Sequence, residues 1–289
     1  MISQEIIAKL FRLEDLPTLP AVMVRILETI ENERSSTNDL TEIMECDQVI
    51  SVRVLRMANS AFYGLPRNVD SIRRAVVTIG FDAVKMLALA TSVFDAISFK
   101  DPTAFDIEDF WMHGLGAAKS AQWIAKHHVR VSSPDACFTA GLMHDIGKLL
   151  LALSLKERYK AICEQAIRAG LPLRTAEYEQ LGTDHAEVGE WIGRMWKFPE
   201  AITDAIGHQY SAASYEGPHG SEARIVALSD VISRLAGFGL AGDPMPPPDW
   251  ANPEKLLGLD GKAVTQIADG IKRTVEETRN FLNLMQTAA

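Results

Sequence analysis

His144 and Asp145 are neighbours in Phe138-Thr-Ala-Gly-Leu-Met-His144-Asp145-Ile-Gly-Lys148, inside an apolar stretch. Two polar groups in such a setting need partners, because a buried charge without one costs several kcal/mol. Imidazole beside carboxylate suits a borderline or hard metal ion. Lys148 stands one helical turn beyond His144, on the same helix face, and a metal pair with a cation beside it is a natural seat for a phosphate. If chemistry occurs there, its logic is metal-assisted phosphoester hydrolysis. A metal lowers the pKa of bound water toward neutrality and polarises the phosphoryl oxygen, and Lys148 would meet the phosphate as a point charge. A solvated surface lysine is the plainer reading of Lys148. No Gly-rich phosphate loop, Ser-His-Asp triad or zinc-ribbon spacing competes.

The elements that must position these groups are helices, since helical periodicity dominates and strand alternation is nearly absent. Amphipathic helices are expected over residues 2–11, 21–31, 38–45, 48–59, 71–79 and 81–94, with Gly80 as a stop between the last two. Asp106 caps a long helix to about residue 128. Pro134 opens the next helix in its first turn, and that helix carries the His-Asp pair through to about residue 155. Helices over 157–169 and 173–181 end at Gly170 and Gly182. Asp184 and Glu187 resemble a capping box opening a helix to about Trp196. Helices over 199–209 and 222–235 precede a Gly- and Pro-rich linker at 237–249, and 261–285 forms one closing helix or two. The fold class is therefore all-α, a multi-helix bundle with an N-terminal helical lobe. The expected division is 1–100 for that lobe, 101–240 for the metal-site lobe and 241–289 for linker and closing helices. A polar break near 98–105 marks the first boundary.

Composition narrows the function. The 289 residues are 47% hydrophobic, enough for a sizeable core. A net charge of -9 argues against a nucleic-acid partner held by phosphate contacts. No run of 18 or more apolar residues and no signal-peptide-like start are seen, so a cytoplasmic protein without membrane contact is expected. Cys46, Cys137 and Cys163 lack CxxC spacing and read as small buried hydrophobes. Arg53, Arg56, Arg67, Arg73 and Arg74 read as a solvated face with local ion pairs, or else as an anion-binding patch.

The chain resembles the HDOD proteins, bacterial members of the His-Asp (HD) metal-dependent hydrolase superfamily. The resemblance rests on Leu16-Pro-Thr-Leu-Pro20, on Asp47-Gln-Val-Ile-Ser-Val-Arg-Val-Leu-Arg-Met-Ala-Asn-Ser-Ala-Phe-Tyr-Gly64, on Ile72-Arg-Arg-Ala-Val-Val-Thr-Ile-Gly80 and on His144-Asp-Ile-Gly-Lys148. It implies an HD-domain-like helical fold, a site in a cleft between helices and a role in bacterial signalling. Many members of the family are thought to have lost the hydrolase residues and to act as binding modules.

The superfamily's order of ligands matches His113, His144, Asp145, His185, His208 and Asp230 here. The resemblance implies one site from His113, His144, Asp145 and Asp230 and a thinner second one from Asp145, His185 and His208. These would hold one or two divalent ions, iron or manganese in first place. Each residue also has a plainer reading. His113 could pair with Asp109 one turn back, and Asp230 could form a surface pair with Arg234. His185 and His208 could be ordinary residues at helix ends; a helix N-terminus would keep His185 neutral, as a metal needs. Related cyclic-dinucleotide hydrolases carry a second His where Gln209 stands, and a Gly-Tyr-Pro element absent from Gln209-Tyr-Ser-Ala-Ala-Ser-Tyr215. The expectation is a regulatory protein with a metal-binding HD site, acting on a protein signalling partner or a nucleotide or phosphate ligand. Two alternatives stay open: an active phosphohydrolase with Asp145 and Lys148 as catalytic residues, and a metal-free helical scaffold.

Overall fold

The computed structural model describes residues 4–11, 21–31, 35–61, 63–97, 104–131, 133–243 and 252–286, and every regular element among them is a helix. In chain order these are α1 (Gln4–Leu10), α2 (Ala21–Glu31), α3 (Thr37–Glu45), α4 (Gln48–Ala58), α5 (Ile72–Ile79), α6 (Phe81–Ile97), α7 (Ile107–His127), α8 (Pro134–Met143) and α9 (Ile146–Leu155). They continue as α10 (Glu157–Ala169), α11 (Leu173–Leu181), α12 (His185–Met195), α13 (Glu200–Gly207), α14 (Gly220–Leu235), α15 (Pro253–Leu257), α16 (Gly261–Lys272) and α17 (Val275–Gln286). Residues 16–20, the expected boundary at 98–103 and the end of the expected linker at 244–249 lie outside the described residues.

The chain forms two compact units, Met1–Leu16 with Lys100–Arg273 and Pro17–Phe99 with Thr274–Ala289. This partition interleaves the chain: α1 and α16 cluster with the larger unit, and α17 joins α2 to α6 in the smaller one. It differs from the sequential division at 100 and 240, because packing of short helices, not chain order, decides which faces are buried together.

In the larger unit α7 is the central helix. Asp106 caps it by accepting the Asp109 N–H at 2.8 Å, and Glu108 and Asp109 at its start and Lys126 and His127 at its end suit the helix dipole. α7 packs against α8 and α14. Ser133 and Pro134 open α8 as cap and first residue. The segment expected as one helix to residue 155 is two: α8 stops at Met143, Asp145 sits at φ -100, ψ 9, and α9 starts at Ile146. Residues 136–143 and 146–152 are all buried, Lys148 among them, so both pieces lie inside the core. The stretch 134–155 has the length and hydropathy of a membrane span, yet 94% of its apolar window is buried inside the protein. α9 lies directly on α12: a Cβ on Gly147 would fall 1.9 Å from the His185 carbonyl oxygen and 2.9 Å from the Gly189 nitrogen. Only glycine permits that approach. Phe11 stacks on Trp191 at 5.2 Å and fixes the end of α1 on this unit.

In the smaller unit, Ser36 and Asp39 form a reciprocal capping box on α3. The Asn59 amide pairs with both backbone groups of Val69, at 2.7 Å each, and closes the loop after α4. Arg53 is buried at 3% exposure, which corrects its place on a solvated arginine face; Arg56, Arg67, Arg73 and Arg74 are exposed, with Arg74 on Asp70 at 3.0 Å. Cys137 and Cys163 are buried as expected, whereas Cys46 is exposed.

Candidate metal centre

Three elements of the larger unit bring four ionisable side chains to one point: His113 from α7, His144 and Asp145 from the α8–α9 junction, and Asp230 from α14. None is more than 2% exposed. His113 Nε2 lies 3.3 Å from His144 Nε2 and 3.0 Å from Asp230 Oδ1. His144 Nε2 lies 3.4 Å from Asp145 Oδ2 and 3.9 Å from Asp230 Oδ1, and His113 Nε2 lies 3.8 Å from Asp145 Oδ2. The junction between α8 and α9 is what turns both residues of the pair toward α7 and α14.

His113 Nδ1 faces the Gly239 carbonyl at 3.1 Å, and His144 Nδ1 faces the Gly141 carbonyl at 2.7 Å. A carbonyl only accepts, so each Nδ1 donates to it and each Nε2 is turned toward the centre. Two ring nitrogens 3.3 Å apart beside a carboxylate oxygen need positive charge among them: a proton on a ring, or a cation. The spacing suits a cation. With bonds of about 2.1 Å, adjacent ligand atoms stand roughly 3.0 Å apart in octahedral and 3.4 Å in tetrahedral coordination. Two further acceptors, Asp145 Oδ1 and Asp230 Oδ2, are buried and receive no hydrogen bond. His113, His144 and Asp230 satisfy the geometry of a three-ligand group, and Asp145 lies against it. Burial holds the His144 imidazole below the usual histidine range despite Asp145 and Asp230, which favours the neutral ring a metal requires.

The remaining candidates are placed differently. Lys148 is fully buried, not solvated, and its Nζ bonds Asp145 Oδ2 at 2.7 Å. Burial lowers its pKa, but Asp145 and Asp243 more than restore it, so it stays charged. Burial likewise opposes ionised Asp145, yet His144, Lys148 and His185 hold it below the usual carboxylate range. His185 is near, with Nε2 3.5 Å from Asp145 Oδ1. Both its nitrogens are engaged: Nδ1 meets Glu177 Oε2 at 2.6 Å and Nε2 meets the Tyr210 hydroxyl at 2.6 Å. Burial pulls its pKa down, but Glu177 and Asp145 raise it overall, against the lowering expected from its helix position. His208 is not brought to the centre. It is half-buried at the end of α13, with its ring stacked on Tyr215 at 3.7 Å. Asp230 does pair with Arg234, at 2.7 Å, but this pair is buried and adds to the His113 contact instead of replacing it.

Residues 16–212, more than half of the chain, match the family model of the HDOD domain. This chain belongs to the HDOD domain family. Among solved structures, an HDOD domain protein of unknown function from Geobacter sulfurreducens superposes with a TM-score of 0.80 at 23% identity, covering 98% of this chain and 96% of that one. At that identity the likeness concerns the fold. A Shewanella amazonensis protein provisionally named a phosphohydrolase gives 0.77 at 27% identity, covering 98% of each chain. A Marinobacter aquaeolei protein provisionally named for signal transduction gives 0.79 at 26% identity, covering 99% of this chain and 62% of the other. An uncharacterized protein of Treponema pallidum (strain Nichols) is 21% identical over 211 residues; the match takes in 73% of this chain, which spans 40% of that protein's length.

In this HDOD chain the sequence reading missed Glu177 and Tyr210 and gave Gln209 and Asp109 other roles. Glu177 is fully buried and joins the His185 ring, the His185 N–H and the Tyr159 hydroxyl. Leu173, Ala176 and Leu181 flank it at helical spacing on α11, so it lies on that helix's buried face. Tyr210 closes His185, and the Arg174 guanidinium lies over its ring at 4.6 Å. Gln209, where related hydrolases have a second His, donates to the His144 and Ile206 carbonyls at 2.8 and 3.1 Å. Asp109 does not pair with His113; it accepts from the Leu240 and Ala241 N–H groups at 3.1 and 2.9 Å.

Proposed function

We propose that this HDOD chain is a regulatory binding protein of bacterial signalling whose buried centre takes one divalent cation. His113, His144, Asp145 and Asp230 hold that cation, and iron or manganese suits the mixed imidazole and carboxylate set. The reading rests on the closure of His185. With Glu177 on one nitrogen and the Tyr210 hydroxyl on the other, it offers no lone pair to a second ion. Lys148 already neutralises Asp145 Oδ2, and His208 faces elsewhere. A bound cation would supply Lewis acidity and bind three elements together, but hydrolysis also needs an open position for water and substrate, and all four ligand side chains are shut away from solvent. The partner is a signalling protein or a nucleotide or phosphate ligand, and the setting is the cytoplasm; the Marinobacter relative's name and the shared fold support the signalling role.

The competing reading, a phosphohydrolase using Asp145 and Lys148, draws on the four preserved ligands and on the Shewanella relative's name. Elemental analysis of protein purified with and without oxygen, followed by phosphodiesterase assays on a nucleotide panel, separates the two. One ion per chain without turnover supports the regulator; turnover that depends on the ion supports the enzyme. Asp145→Ala is expected to lose the ion, and stoichiometric metal retained in that variant would end this ligand assignment.

A further inference from the structure

A helix break inside a buried apolar run must find partners for the backbone groups it frees. In an unbroken helix the His144 carbonyl would accept from the N–H four residues on, that of Lys148. Here the Lys148 N–H goes to the Asp145 carbonyl instead, at 2.9 Å. The His144 carbonyl is met by Gln209 Nε2 at 2.8 Å, a group 65 positions away in the chain. The same nitrogen donates to the Ile206 carbonyl at 3.1 Å, in the last turn of α13. Two carbonyls fix the orientation of the amide, because the reverse would set oxygen against oxygen. Gln209 and His144 are both buried, so the bond lies out of reach of bulk solvent. His144 keeps helical angles, φ -56 and ψ -31, and the departure falls on Asp145 at φ -100, ψ 9. Neighbouring side chains diverge by about 100° in a regular helix; with the break at Asp145, His144 Nε2 and Asp145 Oδ2 lie 3.4 Å apart.

We infer that Gln209 is a positioning residue for the cation centre: its amide takes the place of the helical hydrogen bond that the His144 carbonyl lacks, and so keeps the α8–α9 break in the form that aims Asp145 at His113, His144 and Asp230. The inference rests on the metal-centre reading for its purpose, but the bond and the break exist without metal. The contact is to backbone, so Gln209 acts on Asp145 only through the peptide. Without that donor the His144 carbonyl is left to capture the Lys148 N–H, α8 runs on into α9, and the Asp145 carboxylate turns from the centre.

Gln209→Met tests this, since methionine fills nearly the same volume and offers no N–H. Backbone 13C shifts of Asp145 in metal-stripped protein report the break directly. In the unmodified protein they are expected to be non-helical, and in Gln209→Met to move toward helical values. Mn2+ affinity, by competition with a chelating dye, should fall about 10- to 100-fold in Gln209→Met. A side chain that merely filled space would leave both readouts where they were. Unchanged Asp145 shifts in a folded Gln209→Met protein overturn the inference, and so does unchanged Mn2+ affinity. If Gln209→Met does not fold, the side-chain amide of the unmodified protein decides. Held on two carbonyls, its protons should exchange slowly with deuterium; exchange at the rate of an exposed glutamine overturns the inference. Absence of Mn2+ binding by the unmodified protein would count against the metal centre alone and leave the Asp145 shifts to decide.

Discussion

Replacing Lys148 by Met tests whether its buried pair with Asp145 is the charge balance of the centre. Methionine fills nearly the same volume, so the change removes an ammonium without opening a large cavity. Lys148 is fully buried and bonds Asp145 Oδ2 at 2.7 Å. Removing one partner of a buried pair costs about 3–5 kcal/mol, because the other charge stays buried without compensation. His185 at 3.5 Å can take up part of the charge on Asp145, which places the cost near the lower end. At about 2–4 °C per kcal/mol for a unit of this size, the melting temperature should fall by roughly 6–12 °C. The acid limb gives a second readout. Asp145 is held below the usual carboxylate range, so its contribution is complete above that range and is lost as the pH falls below it. Lys148→Met should flatten that loss. The assay is thermal unfolding of metal-stripped protein for the four members of the Lys148→Met, Asp145→Asn cycle. The double variant removes both charges and should cost clearly less than the sum of the single ones. Additive costs, or a single-variant shift under about 2 °C, would refute the assignment.

Four further outcomes follow from named contacts. Tyr210→Phe frees His185 Nε2 and should let the centre take more than one ion per chain at high Mn2+, read by elemental analysis; an unchanged ratio would show that Lys148 alone excludes the second ion. Gly147→Ala drives a methyl into the His185 carbonyl, and with backbone on both sides it should cost more than about 3 kcal/mol or abolish folding, as seen by circular dichroism. Burial pushes the Cys137 and Cys163 thiols up to about 12, while Cys46 is exposed. Iodoacetamide at about pH 8 should therefore label one thiol natively and three after unfolding, counted by intact mass. Asn59→Ala strands the Val69 N–H and C=O and should destabilise the smaller unit by about 1–3 kcal/mol without altering metal content.

Much of the helical framework was legible because its punctuation is local. Asp106, Ser133-Pro134 and Asp184 open helices, and Gly170 and Gly182 end them, each by a short-range hydrogen bond or a positive φ. The break between α8 and α9 was not legible, since apolar residues continue on both sides and no proline interrupts them. At the centre, residue types brought up His144 and Asp145, and the resemblance's ligand order added His113 and Asp230. They could not show where His208 faces, since a helix end has the same sequence whether it meets the core or Tyr215. Nor could they show that Lys148 and Arg53 are buried, because a long cation is read as solvated until its counter-charge is located in space. Glu177 and Tyr210 were invisible for the same reason: their roles are contacts across the fold, to a histidine 8 and 25 positions away.

The four residues proposed to hold the cation run from residue 113 to residue 230, so an ion seated there would tie off a long stretch of chain in the manner of a staple. Anything that binds the folded form alone raises its stability with concentration. A cell short of the ion would then hold this protein closer to unfolding and to proteolysis, and its abundance would follow the supply of that metal.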